Sequence, residues 1–399
     1  MNIRNVVIVY YARSAFGRQG GVFRDIPASD LAGVVMKKLI EKSGIDKNLV
    51  DGVMMGSAFN DMQTISLARY AEQVAGLPFS ATGTTVEMQC GSGIVSINHA
   101  AWAIALGYAD VMVAGGAESC STAPAKFPTN NTPYRMIAPA AVKQKLSPFP
   151  EMDIPMIEIS DKLASMYNIT REQCDSFACD SQWRLQDAYR NGVIGPEIVP
   201  YTHPATRKTA ETTIDMDEHP RPDTTMEGLS KLRTVYEDGV TTAGNASGLN
   251  DGAAFLLMMS AERAKELGFK PIARWVASGT AGCRPDLMGL GAGYALLAAL
   301  KHAGISLKDL DVIECNEAFA AQNLAVIGDL EDKTGMKIDR SRWNPNGGAI
   351  AIGHPNGASG ARIAMFAMRQ LEVTGGKYGA FTACCGGGQG AAAILENLM

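Results

Sequence analysis

The chain has 399 residues, which gives two to three domains as a prior and a core that needs no disulfide or metal staple. Apolar residues make up 46% and charged residues 19%, which excludes a disordered chain, and a net charge of −5 with no basic cluster argues against nucleic acid as a partner. No apolar run reaches the roughly 18 residues of a spanning helix. Met1 to Tyr11 reads as a first strand and not as an export signal. The eight cysteines lack regular spacing, so reduced thiols and a cytoplasmic location are expected.

In chain order, Asn5 to Tyr10 is a Val/Ile strand, and Ala28 to Ser43 carries apolar residues at helical spacing (Leu31, Val34, Val35, Leu39, Ile40). Val50 to Met55 is strand-like. Gly93 to Leu106 is apolar on nearly every side, which predicts a buried helix. Asp110 to Ala114 reads as a strand ending at Gly115-Gly116. This alternation predicts α/β layers with a largely parallel sheet. The same order then returns. Lys42-Ser43-Gly44-Ile45, Leu49-Val50-Asp51 and Ser57-Ala58-Phe59 are matched at a near-constant offset by His302-Ala303-Gly304-Ile305, Leu310-Asp311-Val312 and Glu317-Ala318-Phe319. Asp251 to Leu257 is matched by Gln389 to Leu395, and Val113 to Gly116 by Thr382 to Cys384 with its glycines. The first repeat is interrupted between Gly116 and about Leu249. There, Ala123 to Pro155 is Pro-rich and aperiodic, and helices are expected from Met156 to Tyr167 and from Arg171 to Asn191, the second capped by Thr170. A long irregular insert in a compact enzyme points to a substrate-covering role.

Four segments can carry chemistry. Val86-Glu87-Met88-Gln89-Cys90-Gly91-Ser92-Gly93 places a thiol where the buried helix begins. Unpaired N–H groups and the helix dipole there favour the thiolate, although a small buried core cysteine is the commoner fate. Asn344 to Pro355 sets His354 in a Gly-rich loop before Asn356-Gly357-Ala358-Ser359-Gly360, as a base toward a thiol or a donor to an oxyanion. Of the other histidines, His99 is expected to be a satisfied structural imidazole and His203, His219 and His302 to be exposed. Cys315-Asn316-Glu317-Ala318-Phe319-Ala320 offers Asn316 as a donor or water holder, with Phe319 as pocket wall or core. Ala383-Cys384-Cys385-Gly386-Gly387-Gly388-Gln389-Gly390 sends two cysteines to opposite faces of a strand, then a glycine run able to form an anion-binding nest. No metal-ligand spacing is evident, so no metal is expected.

These four segments, in this order, resemble the thiolase family over essentially the whole chain, and Thr242-Ala243-Gly244-Asn245-Ala246-Ser247-Gly248 is similar to that family's CoA-contacting segment. The resemblance implies a duplicated α/β fold. Its halves, 1–117 with 249–270 and 271–399, would each carry a mixed five-stranded sheet in a layered αβαβα arrangement, and 118–248 would form an inserted loop domain. It implies a thiolase that cleaves or forms 3-oxoacyl-CoA with no prosthetic group, using coenzyme A as co-substrate and acyl-CoA substrates, in a homodimer or homotetramer. By the same resemblance Cys90 is the acylated nucleophile, Cys384 the acid/base at the acetyl α-carbon, and Cys385 inert. His354 activates Cys90 and forms one oxyanion hole with a water held by Asn316, and the N–H groups of Cys90 and Gly386 form the other. Ser247 and Ala243 would lie along the pantetheine arm, Arg221 near the nucleotide end, and Met156 against the acyl group.

Pro155-Met156-Ile157 stands where short-chain biosynthetic members usually have His-Met-Gly, and Gly289 to Ala295 is nearer a degradative-type loop. Acyl length is therefore open. Two other readings share parts of this pattern: a decarboxylating condensing enzyme acting on acyl carrier protein, and a non-catalytic acyl-CoA or lipid binder. Cys384 and the Ser247 segment disfavour the first, and the intact set Cys90, Asn316, His354 and Cys384 disfavours the second.

Overall fold

A computed structural model describes residues 3–59, 61–127, 140–205 and 210–399. Among these, the first half contains β1 (Val6–Arg13), the two-residue β2 (Gly17–Arg18), α1 (Ala28–Ser43), β3 (Gly52–Gly56), α2 (Leu67–Val74), β4 (Thr82–Val86), α3 (Ser92–Ala105) and β5 (Val111–Ser119). Next come α4 (Met156–Met166), α5 (Arg171–Arg190), the hairpin β6 (Tyr201–His203) and β7 (Thr212–Ile214), and the short α6 (Met226–Ser230). The chain then returns through β8 (Asn250–Ser260) and α7 (Ala261–Glu266). The second half contains β9 (Ala273–Gly282), α8 (Gly291–Ala303), β10 (Val312–Cys315), α9 (Ala320–Thr334), α10 (Ala349–Ile352), α11 (Asn356–Thr374), β11 (Tyr378–Cys385) and β12 (Gln389–Asn397).

The repeat is visible in the pairing. β3 runs parallel to β5, β5 antiparallel to β8, and β8 antiparallel to β1. The second half repeats this as β10 parallel to β11, β11 antiparallel to β12, and β12 antiparallel to β9. α1 and α8 end alike, at Gly44 (φ 75°) and Gly304 (φ 68°), a left-handed cap that glycine adopts without a Cβ clash. The halves differ from the expectation in two ways. β1 also pairs with β9, so the two sheets are hydrogen-bonded into one. The counterpart of β4 is shortened to a single parallel bridge from Trp343 to Ile313 of β10, so among the described residues the second half contributes four full strands.

α3 and α11 lie between the halves. One core cluster combines Ile94, Ile97 and Ile104 of α3 with Met365 and Phe366 of α11, Leu256 and Met258 of β8, and Phe381 and Ala393 of the second half. The outer faces are covered by α1 on one side (Leu31, Val35, Leu39) and α8 on the other (Leu296, Ala299, Leu300). Each fully buried leucine contributes about 2 kcal/mol. The two central helices touch through glycine: a Cβ at Gly93 would sit 2.5 Å from the Gly357 carbonyl oxygen, and one at Gly360 would sit 2.3 Å from the Ile94 nitrogen. This contact brings the two helix N-termini together.

β5 does not stop at Gly115-Gly116 but continues to Ser119. The glycines are there for proximity, since a Cβ at Gly116 would lie 2.2 Å from the Gly357 carbonyl oxygen. α5 begins at the Thr170 cap in a full capping box. Thr170 Oγ1 accepts from the Gln173 N–H (3.3 Å) and Gln173 Oε1 accepts from the Thr170 N–H (2.8 Å). Part of the aperiodic stretch at 123–155, namely 128–139, lies outside the described residues.

Candidate active site

The four chemistry-bearing segments sit at the carboxyl ends of parallel strands or the N-termini of the central helices. Cys90 occupies a short turn before α3 and is 6% exposed. The preceding Gln89 has φ 48°, a strained left-handed geometry for a residue with a side chain. Ser92 Oγ closes the turn, donating to the Gln89 carbonyl (2.6 Å) and accepting the Met88 N–H (2.9 Å).

Three donors face the Cys90 sulfur. Asn356 Nδ2 approaches to 3.5 Å, and the N–H groups of Cys90 itself and of Gly386 both stabilise its charged form. Gly386 is aimed by the turn between β11 and β12, where Gly387 (φ 85°) and Gly388 (φ 87°) take a geometry open to glycine. Burial nevertheless dominates: it pushes the Cys90 thiol up to about 12, with Glu118 and Glu87 adding to the rise. The expected thiolate-favouring environment is therefore corrected. The dipole and N–H groups are present, but desolvation outweighs them and the resting group is a neutral thiol.

His354 is held from three directions. Its N–H donates to Asn250 Oδ1 (2.9 Å), and Nδ1 lies 2.6 Å from Ser359 Oγ. Ser359 Oγ donates onward to the Pro355 carbonyl (3.0 Å), so it accepts from Nδ1–H and leaves Nε2 as the lone-pair nitrogen. Asn316 Nδ2 is 3.3 Å from that Nε2. Burial, then Arg362, lowers the imidazole to about 3, which keeps it neutral. Asn316 Oδ1 is buried without a partner, a place for a water. The Asn316 loop is fixed by its N–H to the Thr382 carbonyl (2.9 Å) and by Asn323 Nδ2 to its own carbonyl (3.1 Å).

Cys384 and Cys385 take opposite faces of β11, Cys384 in the core under α8 and α9, Cys385 against α3 and α11. Burial raises the Cys384 thiol, and Cys90 and Cys385 raise it further. Cys385 Sγ packs on Gly91, where a Cβ would lie 2.4 Å away. A Cβ at Gly386 would meet Met156 Cε at 3.1 Å, Leu146 Cδ2 at 3.2 Å and Gln89 Cγ at 3.3 Å, so Met156 stands beside the Cys90 turn. Phe319 is 9% exposed and bridges to Ala246, while the Ser247 N–H donates to the Ala318 carbonyl (3.0 Å). Ser247, Ala243 and Arg221 line one cavity of about 530 Å³, whose inner wall includes His219, Gly248 and Ile350. Among the described residues, no group of three or more His, Cys, Asp or Glu is placed to hold a metal ion.

Other histidines depart from expectation. His99 is half-buried and stacks on Trp102 at 5.0 Å. His203 and His219 are half-buried, not exposed, with His203 Nε2 2.8 Å from the Val22 carbonyl; His302 is exposed as expected. Asn356, Ser359, Asn250 and Glu118 carry no sequence signal that marks a role at the site. The first two lie in the quoted segment after His354. Glu118 accepts from the N–H groups of Ala58 (2.7 Å), Phe59 (3.1 Å) and Gly357 (3.0 Å), tying the β3 loop to the start of α11.

All eight cysteines are free thiols, and burial raises every one of them above the ordinary value near 9. The unfolded chain therefore loses thiol protons from about pH 9 upward while the folded chain keeps them. Stability is full below that pH and falls above it, by roughly 1.4 kcal/mol per pH unit for each fully buried thiol such as Cys315 and by less for the partly exposed Cys283 and for Cys179. Thermal melts should give a flat Tm to about pH 8.5 and a steep decline by pH 10. Removing a buried thiol remote from the site, as in Cys174→Val, should make that decline shallower.

Residues 6–262 match the family model described as "Thiolase, N-terminal domain" and residues 269–397 match "Thiolase, C-terminal domain". The chain is 41% identical, over 99% of its length and 100% of the relative, to the 3-oxoadipyl-CoA/3-oxo-5,6-dehydrosuberyl-CoA thiolase of Escherichia coli (strain K12). The Bacillus anthracis acetyl-CoA acetyltransferase superposes with a TM-score of 0.92 at 37% identity, covering 100% of both chains. Human mitochondrial 3-ketoacyl-CoA thiolase in complex with CoA superposes at 0.90 and 37%, covering 100% of this chain and 99% of that one. No helix among the described residues is long and apolar enough to cross a membrane. The chain belongs to the thiolase family.

Proposed function

We propose that this protein is a CoA-dependent acyltransferase that cleaves 3-oxoacyl-CoA to acetyl-CoA and a shortened acyl-CoA, and runs the reverse condensation, through an acyl-Cys90 intermediate. The observation that carries the Cys90 role is the set of donors on one buried sulfur: the N–H groups of Cys90 and Gly386, with Asn356 Nδ2 at 3.5 Å. In thiolysis, Cys90 attacks the 3-keto carbon and its proton passes to His354 Nε2. The C2–C3 bond breaks toward acetyl-CoA, and Cys384 S–H protonates the enolate carbon. The CoA thiol then attacks the acyl-Cys90 carbonyl and gives its proton to the Cys384 thiolate. The departing Cys90 sulfur recovers its proton from His354. Two oxyanions form in this cycle, and losing one donor to either costs about 3 kcal/mol.

The cavity lined by Ser247, Ala243 and Arg221 takes the CoA moiety in this reading, with Phe319 and Met156 shaping the acyl end. Residues 118–248 cover the substrate between halves 1–117 with 249–270 and 271–399. The eight free thiols support a reducing, cytosol-like compartment. A second copy of the chain fits the exposed edge strand β4, which is flanked by fully exposed Ile65 and by Phe79 at 83% exposure; sedimentation as a single chain would remove this part. Thiolysis of acetoacetyl-CoA, followed by loss of its enolate absorbance, tests the activity. Parallel double-reciprocal lines across CoA concentrations are expected from the covalent intermediate, and no turnover on any 3-oxoacyl-CoA would refute the reading.

A further inference from the structure

A polar residue outside the proposed chemistry that reaches it directly is Asn250, the first residue of β8, which is fully buried. Its Oδ1 accepts the backbone N–H of His354 at 2.9 Å. Its Nδ2 donates to the Gly17 carbonyl at 2.8 Å and faces His219 Nδ1 at 3.4 Å. Against this amide the peptide entering His354 lies flat: Gly353 has φ 101°, and a Cβ there would sit 2.5 Å from Asn250 Cγ. Leu249 also bridges His354, so two consecutive residues of one chain segment grip the same backbone unit.

His219 extends this grip outward. Its Nδ1 meets Asn250, and its ring shares a cavity wall with Ile350 of α10, the turn that leads into Gly353 and His354. With Asn250 Nδ2 the donor to Nδ1, the second nitrogen carries the ring proton. His219 and Ile350 both form the inner wall of the cavity assigned to CoA. The wall that receives the cofactor-sized substrate and the peptide that carries the imidazole are thus joined through one amide.

We propose that Asn250 is a positioning residue for His354, holding the imidazole-bearing peptide in register with the cavity wall through His219. The inference rests on the reading of His354 as the base for Cys90. Asn250 touches no reacting atom, so its loss should act on turnover and not on CoA capture. A misplacement of about 1 Å at a reacting group can cost on the order of a hundredfold in rate.

The test compares two variants of similar volume in acetoacetyl-CoA thiolysis. Asn250→Leu fills the space without hydrogen bonds, and Asn250→Asp keeps an oxygen to accept the His354 N–H. Expected for Asn250→Leu is a fall in kcat of about 30-fold or more, with KM for CoA changed less than about threefold. Asn250→Asp should return kcat to within about fivefold of the unmodified protein. A kcat within threefold in Asn250→Leu, or an equal loss in both variants, overturns the proposal. If Asn250→Leu does not fold, Asn250→Ala takes its place under the same limits. His354→Ala is measured alongside. Undiminished turnover there sinks the base assignment itself, whereas a dead His354→Ala beside an unaffected Asn250→Leu sinks only the positioning role.

Discussion

Replacing Cys90 by alanine should leave a folded protein that takes no label from acetyl-CoA and whose thiolysis falls by about 10⁴-fold or more. The fold should survive because the thiol sits in a turn closed by Ser92 and Gln89, whose hydrogen bonds involve backbone and the Ser92 hydroxyl. The chemistry should not survive, because a direct attack of CoA on the 3-keto carbon loses both the covalent step and the alignment that precedes it. Burial keeps the resting thiol protonated and His354 neutral, so the Cys90 proton must leave as the sulfur attacks. The Ser359 and Pro355 hydrogen bonds leave His354 Nε2 unprotonated, and its lone pair, which faces Asn316 Nδ2 at 3.3 Å, is the acceptor once the Cys90 proton displaces that contact. Mass analysis of the intact chain after incubation with acetyl-CoA reads the result directly. Full-stoichiometry acylation of Cys90→Ala would place the nucleophile elsewhere, with Cys384 the first residue to examine.

Much of this architecture can be read from local pattern. The constant offset between Gly44-Ile45 and Gly304-Ile305 marks two equivalent helix ends, and both end in left-handed glycines. Thr170 stands out as a helix cap from its place just before the helical pattern, and the structure completes it with Gln173 into a capping box. These features depend on neighbours a few residues apart, where sequence spacing is spatial spacing. What escapes are the features set by distant neighbours. The joining of β1 to β9 depends on the relative placement of two halves that are separately legible. Gly115-Gly116 reads as a strand end until the approach of Gly357 explains why the strand carries no side chain there.

The site divides in the same way. Cys90, Asn316, His354 and Cys384 stand out because each adjoins a glycine-rich or strand-end turn, and the structure places each on a turn, strand end or helix N-terminus. Asn250 and Glu118 do not stand out. Asn250 is 104 positions away from the His354 N–H it accepts, and Glu118 is 239 away from that of Gly357. The thiolate expectation at Cys90 fails for a related reason. A helix N-terminus is visible in sequence, but the water removed from around the sulfur is visible only in three dimensions, and that desolvation is the larger effect.

Cys384→Ala should separate the two halves of the reaction. Acyl transfer to Cys90 keeps the sulfur, its N–H donors and His354 in this variant and loses only the proton that Cys384 returns to the departing CoA thiolate, a good leaving group on its own, so labelling by acetyl-CoA should persist at a reduced rate. Exchange of the acetyl α-proton with deuterated solvent should fall by about 10² to 10⁴-fold, the range for losing one positioned acid/base. The side chain is 1% exposed, and its thiol is raised by burial and by Cys90 beside it, so it rests as an acid able to donate to an enolate carbon. Its neighbour Cys385 faces the other side of β11 against Gly91 and cannot substitute without reversing the strand. Cys385→Ala therefore serves as the control: it should leave exchange near the native rate. Exchange at the native rate in Cys384→Ala would mean that another group moves the proton, and loss of labelling together with exchange would mean that the thiol supports the site as a whole and not the carbanion step alone.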